Sequence, residues 1–155
     1  MYVCICTPTP YRWENKLQAS LLGVDKEARM KARQLIKGTI SAHHTVIYTY
    51  GLSPFSSEAL AVMDEVGLKY HREEIGLEWF LLGRQASALR LELLQMTGQS
   101  SLPHVFIGGK HIGGLFSGSP TSDDEGPAGL AALKESGELA EIAAGQIAEP
   151  EVASQ

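Results

Sequence analysis

Apolar residues recur along this chain at two spacings, one helical and one strand-like, and the alternation between them predicts the elements. Over Lys26 to Thr39, the residues Ala28, Ala32, Leu35, Ile36 and Ile40 fall near the i, i+4, i+7, i+8 pattern of one helix face. Before it, Tyr11 to about Lys26 has helical character around Leu17, Leu21 and Leu22, interrupted by Gly23. His43-His44 sits in a short break, and Val46-Ile47-Tyr48-Thr49-Tyr50 is a β-branched and aromatic run that predicts a buried strand. Gly51-Leu52 ends it. Ser53 at an N-cap and Pro54 at the first helical position then start a helix to about Val66, with Phe55, Ala59, Val62, Met63 and Val66 facing the core. Gly67 stops that helix.

Leu68 to Ile75 predicts a second strand, with Leu68, Tyr70 and Ile75 as its buried members, and Ser87 to Met96 another helix closed by Thr97-Gly98. Val105-Phe106-Ile107 and Lys110-His111-Ile112 read as a hairpin around Gly108-Gly109, because glycine reaches the positive φ such turns need. Ser117 to Pro127 is a polar loop. One or two helices on Leu130, Leu133, Leu139 and Ile142 close the fold between Gly129 and Ala144, and Pro150 to Gln155 is a frayed tail. A strand–helix–strand unit is parallel and a hairpin is antiparallel, so the expected fold is α/β, a small mixed sheet with helices on both sides. The expected organisation is an N-terminal helical extension over 1–27, one domain over 28–146 and a tail over 147–155.

Composition narrows the function. The chain has 155 residues, 44% of them hydrophobic, and 13 Lys+Arg against 18 Asp+Glu leave a net charge of −5. That is the balance of a single globular domain with short appendages. An acidic chain lacks the basic face of a nucleic-acid binder. No apolar run approaches the roughly 20 residues that span a bilayer, and Met1 to Cys6 lacks the basic and long apolar regions of a secretory signal. The two cysteines, Cys4 and Cys6, rule out a disulfide framework. They read as thiols in an N-terminal segment in preference to a redox or metal-capture tail, since no histidine spacing completes a metal site. No metal is expected. Asp123-Asp124-Glu125 reads as solvated acids in a loop.

Two places carry candidate chemistry. The turn Gly51-Leu52-Ser53-Pro54-Phe55-Ser56 presents free N–H groups and the positive end of a helix dipole, a setting that stabilises anions and thiolates. Leu102-Pro103 precedes an apolar strand, where proline fits only at the first position or an edge. At these residues the chain resembles the glutaredoxins of the thioredoxin superfamily. Tyr48 to Ser56 is similar to the family's strand and Cys-Pro-Tyr/Phe-Cys motif. Thr97-Gly98-Gln99-Ser100-Ser101-Leu102-Pro103-His104-Val105-Phe106-Ile107-Gly108-Gly109-Lys110-His111-Ile112-Gly113-Gly114 is similar to its Thr-Gly-x-x-Thr-Val-Pro segment and following hairpin. Leu130 to Leu139 is similar to its last helix. The resemblance covers about residues 28 to 146 and implies a thioredoxin-like fold with a mixed four-stranded sheet.

It also implies where family chemistry stops. The nucleophilic and resolving cysteines fall on Ser53 and Ser56, so neither a dithiol nor a monothiol mechanism can run at this helix start. The lysine that faces the glutathione carboxylate falls on Tyr50, and Leu115-Phe116 follows Gly113-Gly114 where a polar or acidic pair is usual. A remnant of a glutathione site is implied at Tyr50, Ser53, Phe55, Leu102, Pro103, Gly113 and Gly114, with a cis bond before Pro103. Glutathione is thus a weak candidate ligand and no resident cofactor is expected.

Plainer readings stand beside these. Ser53-Pro54 is fully explained as a helix start, and Tyr50 and Phe55 as core or pocket-lining aromatics. His104 reads as a solvent-facing strand residue in preference to a pocket border. Leu77 to Leu82, with Trp79 and Phe80, reads equally as sheet-capping core or as a partner surface. Trp79, Phe80, Leu115 and Phe116 are the partner-surface candidates. The favoured expectation is a redox-inactive subunit or adaptor docked on another protein. The alternatives are a glutathione-dependent oxidoreductase using Cys4 or Cys6, and a non-catalytic glutathione binder. The resemblance and two free cysteines imply a reducing compartment: cytosol, plastid stroma or mitochondrial matrix.

Overall fold

Asp25 starts the first helix, its side chain accepting the Ala28 N–H at 2.8 Å, as an N-cap should. The structure, a computed structural model, describes residues 24–76, 84–116 and 128–148. In chain order it contains α1 (Lys26–Ala42), β1 (Thr45–Thr49), α2 (Pro54–Glu65), β2 (His71–Glu74), α3 (Arg84–Thr97), β3 (His104–Ile107), β4 (Lys110–Gly113), α4 (Gly129–Ser136) and α5 (Glu138–Ala148). The expected helix around Leu17, Leu21 and Leu22, the 117–127 loop and the 150–155 tail lie outside the described residues.

The four strands form one sheet in the order β2-β1-β3-β4. β1 runs parallel to β2, with Val46 opposite His71, and antiparallel to β3, with Val46 opposite Phe106 and Tyr48 opposite His104. β3 and β4 form the hairpin around Gly108-Gly109, whose φ angles are 56° and 79°. All five residues of β1 are buried, which explains its β-branched and aromatic run: a central strand has helices over both faces. On one face Val46, Tyr48 and Phe106 pack with Ile36 of α1 and Leu93 of α3. On the other, Ile47 and Val105 pack with Ala59 and Met63 of α2, Leu130 of α4, and Leu139 and Ala143 of α5. The mixed four-stranded thioredoxin-like sheet is as expected.

Two local expectations change. β2 spans only His71–Glu74; Leu68 and Ile75 are buried, but they flank the ladder instead of belonging to it. β2 is an edge strand, so its alternating half-buried and exposed pattern needs no apolar alternation of its own. Leu35 is 66% exposed, because α1 meets the rest of the protein through a narrower arc centred on Ala32 and Ile36.

A polar clip reinforces that arc. Glu92 of α3, 2% exposed, accepts hydrogen bonds from Arg29 Nε at 2.8 Å and Arg33 Nε at 2.9 Å, both from α1. A carboxylate this deep requires partners, and two guanidinium groups supply them. Asp25 and Arg84 pair across the same two helices. No described helix is long and apolar enough to cross a membrane.

Candidate functional site

The turn between β1 and α2 is tied together by its own serines. Ser53 caps α2 with extended backbone (φ −88°, ψ 118°), and its hydroxyl accepts the Ser56 N–H at 3.3 Å. The Ser53 N–H donates to the Tyr50 carbonyl at 2.9 Å, closing the turn. Ser56 is 2% exposed, and its hydroxyl accepts the Tyr50 N–H at 3.2 Å. Each serine thus satisfies a backbone donor that the strand or helix terminus leaves over. Ser56→Ala removes the acceptor for a part-buried N–H, and thermal or chemical unfolding should show a loss of about 1–2 kcal/mol. An unchanged midpoint would mean that water replaces the hydroxyl.

The opposite wall comes from the segment before β3. Extending the β1–β3 register beyond Tyr48 and His104 sets Tyr50 across from Leu102, and both side chains pack on the same apolar cluster. The Leu102–Pro103 bond is cis. The Gln99 side-chain amide donates to Ser101 O and to Pro103 O, both at 2.8 Å. Gly114 passes so close to this segment that a Cβ there would lie 2.9 Å from Pro103 O, so only glycine fits. Gly113, at φ 99°, is buried beside it. The structure therefore brings Tyr50 and Leu102 onto one apolar cluster with Pro103, Gly113 and Gly114 beside it, and Tyr50 also closes the turn that carries Ser53 and Phe55.

Phe55, a core residue by its helical spacing, is 51% exposed, because it occupies the first turn of α2, beyond the end of the sheet. Its ring meets that of Phe116, 59% exposed, edge to face with centroids 6.2 Å apart. With Leu52, 72% exposed, they line the mouth of the site with apolar surface. Of the partner-surface candidates, Phe116 is on the surface, whereas Leu115 is a correction. Leu115 is 4% exposed, packed in the core cluster that contains Leu130, and its carbonyl accepts the Ala131 N–H at 2.8 Å. Alternation after Gly114 turns one residue in and the next out. Trp79 and Phe80, Cys4 and Cys6, and Asp123 to Glu125 lie outside the described residues.

His104 is the larger correction. Against the solvent-facing expectation, it is 1% exposed, on the same sheet face as Phe106 and beneath the end of α3. Burial, and secondarily the neighbouring His111, pushes its pKa down to about 3; burial alone pushes His111 down to about 4. Their rings lie 5.5 Å apart. The period of two from Phe106 places His104 inside, and that signal is readable in the sequence. Thr97, which closes α3 and opens the family-like segment, has a hydroxyl that donates to Leu93 O at 2.8 Å and accepts the Gln99 N–H at 3.1 Å. The His104 Nδ1 lies 3.4 Å from the same oxygen, which assigns the imidazole proton to Nδ1.

A paired carboxylate stands at the corner of the site. Glu74 Oε1 lies only 2.7 Å from where a Cβ on Gly51 would sit, so a carboxylate, paired with Arg72 at 2.8 Å, reaches the corner beside Tyr50. Elsewhere, a cavity of about 550 Å³ lies between α1, the end of β2 and the start of α3, with Ala32, Leu35, Ile75 and Leu89 among its lining. Glu74 also borders it, but no residue of the 50–56 turn does. Among the described residues no cluster of three His, Cys, Asp or Glu is placed to hold a metal.

Comparison with known proteins agrees with this geometry. The family model described as Glutaredoxin matches residues 45–112. The chain is 35% identical over 97 residues to "Monothiol glutaredoxin-S10" of Oryza sativa subsp. japonica, covering 63% of this chain and 57% of that protein. It is 33% identical over 81 residues to "Glutaredoxin" of Ricinus communis, covering 52% of this chain and 74% of the other. Among solved structures, the buckwheat glutaredoxin–glutathione complex is similar at 25% identity and a TM-score of 0.59, covering 81% of this chain and 99% of that one. Oxidized glutaredoxin 2 from Chlamydomonas reinhardtii, at 23% identity and a TM-score of 0.57, shares the fold, covering 78% and 98%.

Proposed function

The chain belongs to the glutaredoxin family, and from that premise we propose that it works as a protein-binding subunit or adaptor without thiol–disulfide turnover at its helix start. The observation that carries this reading is the use of Ser53 and Ser56. Disulfide exchange needs a thiolate that attacks one sulfur while a second sulfur leaves. Here both positions carry hydroxyls, which do not ionise near neutral pH and form no disulfide, and both accept backbone N–H groups. They serve the turn. The exposed Leu52, Phe55 and Phe116 supply an apolar rim of the kind that a protein partner covers.

The test is reduction of a glutathione mixed disulfide of a small thiol, with glutathione and a coupled reductase. The expected rate is that of buffer. Turnover at catalytic rates overturns the reading, and its loss on replacing Cys4 and Cys6 by serine would assign the activity to the N-terminal thiols.

A second reading, binding of glutathione without turnover, is supported by the backbone edge at Leu102-Pro103 and Gly113-Gly114. The buckwheat neighbour is a complex with glutathione. Tyr50 in place of a cation, with Glu74 nearby, makes the affinity of this tripeptide anion low. The expected setting is a reducing compartment. An Arabidopsis thaliana relative, 33% identical over 81 residues, is named as chloroplastic, which supports a plastid interior among the choices.

A further inference from the structure

Gln99 is the residue whose burial the fold alone explains least. It is 3% exposed, and its Oε1 has no hydrogen-bond partner among the described residues. A buried amide with an idle oxygen is a cost, and a methionine of the same length would fill the space without it. What the amide does provide is two donors. Nε2 directs them to Ser101 O and Pro103 O, at 2.8 Å each, so the loop carrying Leu102 wraps around one side chain. The amide is itself held: the Gln99 N–H donates to Thr97 Oγ1, and Thr97 is bonded to Leu93 O in the last turn of α3. From the other side, Gly114 closes on the same group, its would-be Cβ lying 3.3 Å from Nε2 and 2.9 Å from Pro103 O. The end of α3, the Leu102-Pro103 edge and the start of the segment after β4 therefore meet at a single carboxamide.

We propose that Gln99 is the positioning residue of this site, its two N–H groups fixing the Leu102-Pro103 edge against Gly114 in the geometry that pairs with the peptide backbone of glutathione. The proposal rests on the reading that this edge binds glutathione. Gln99 does not touch the ligand; it acts through Ser101 and Pro103. Loss of both donors frees the two carbonyls to turn, and the main-chain contacts of Leu102 lose their alignment.

Two variants separate positioning from mere support. Gln99→Met keeps the shape and removes both donors. Gln99→Glu keeps the shape and donates only when protonated; burial and two facing carbonyls raise the pKa of such a carboxyl well above its usual range. Each protein is titrated with glutathione to millimolar concentration, with the Leu102 and Gly114 amide resonances followed between pH 5.5 and 8. Wild type should respond saturably at both amides. Gln99→Met should bind at least tenfold more weakly at every pH, and its ligand-free Leu102 and Gly114 resonances should be displaced. Gln99→Glu, whose protonated carboxyl supplies one donor in place of two, should bind more tightly than Gln99→Met at pH 5.5 and lose affinity as the pH rises. Wild-type affinity in Gln99→Met with undisplaced resonances overturns the proposal, as does a Gln99→Glu affinity with the same pH dependence as wild type. If Gln99→Met does not fold, the Gln99→Glu pH profile alone decides. If wild type ignores glutathione, the binding reading fails, and the ligand-free resonances then decide the positioning role: displaced in Gln99→Met supports it, undisplaced overturns it.

Discussion

Ser53→Cys should make this site thiol-reactive. The side chain at Ser53 sits at an N-cap, 3.3 Å from the Ser56 N–H, with the α2 dipole behind it. A thiolate at that atom accepts the same N–H and gains from the positive helix end, so its pKa falls below the free value of about 8.5. A fall to about 6.5 raises the thiolate fraction at pH 7 from about 3% to about 75%, roughly 25-fold. Alkylation rate against pH should show that depressed midpoint, and the mixed-disulfide assay should register turnover above wild type. The turnover should stay modest, because Glu74 brings a carboxylate to the same corner. A thiol that titrates at 8.5 or above would show that α2 does not stabilise an anion, and that more than the missing sulfur separates this site from its relatives.

The second large effect is acid destabilisation through His104. Its folded pKa of about 3 lies below the ordinary 6.5, so the unfolded chain binds the extra proton first as pH falls. The stability it contributes is complete above about pH 6.5 and is lost progressively down to pH 3. At pH 5 the loss is about 2 kcal/mol, and by pH 3 about 4 kcal/mol, since each tenfold difference in proton affinity between the two states is worth about 1.4 kcal/mol. His111, also depressed by burial, adds a loss of the same sign. Urea midpoints between pH 6.5 and 5 confine the loss to histidines, His111 included, since ordinary carboxylates stay largely ionised there. Replacing His104 by Gln should flatten that part of the curve by about one proton's slope; an equally steep wild-type and variant curve would clear His104 of the role.

His104 also shows where the sequence misleads. A histidine beside a proline, next to an apolar run, looks like a surface residue by type. Its place is given by the strand's period of two from Phe106, and the fold completes it, since Tyr48 opposite is buried and α3 covers that face. Leu115 misleads for a related reason: its depth comes from α4, whose Leu130 packs in the same cluster. Phe55 misleads because helix periodicity names a face and does not say where the sheet ends. The legible residues carry local chemistry. Ser53-Pro54 announces a helix start by capping, Gly108-Gly109 announces a hairpin by its positive φ, and the run over 46–50 announces a central strand by shape. Gln99 is, in the sequence, only one member of a longer motif. Its role depends on two carbonyls and a glycine that the fold alone brings together, and no local signal encodes that meeting.

The antiparallel pairing of β1 with β3 has a consequence for how the chain is made. Val46 meets Phe106, sixty positions later, and all of β1 is buried, with Val46, Ile47 and Tyr48 as its apolar centre. At about 5–20 residues per second, a ribosome takes roughly 3–12 seconds to deliver the partner. β2 arrives sooner, but as an edge strand it covers only one side of β1. During that interval the nascent chain presents a bare sticky strand, the stage at which a chaperone at the exit tunnel has most to protect.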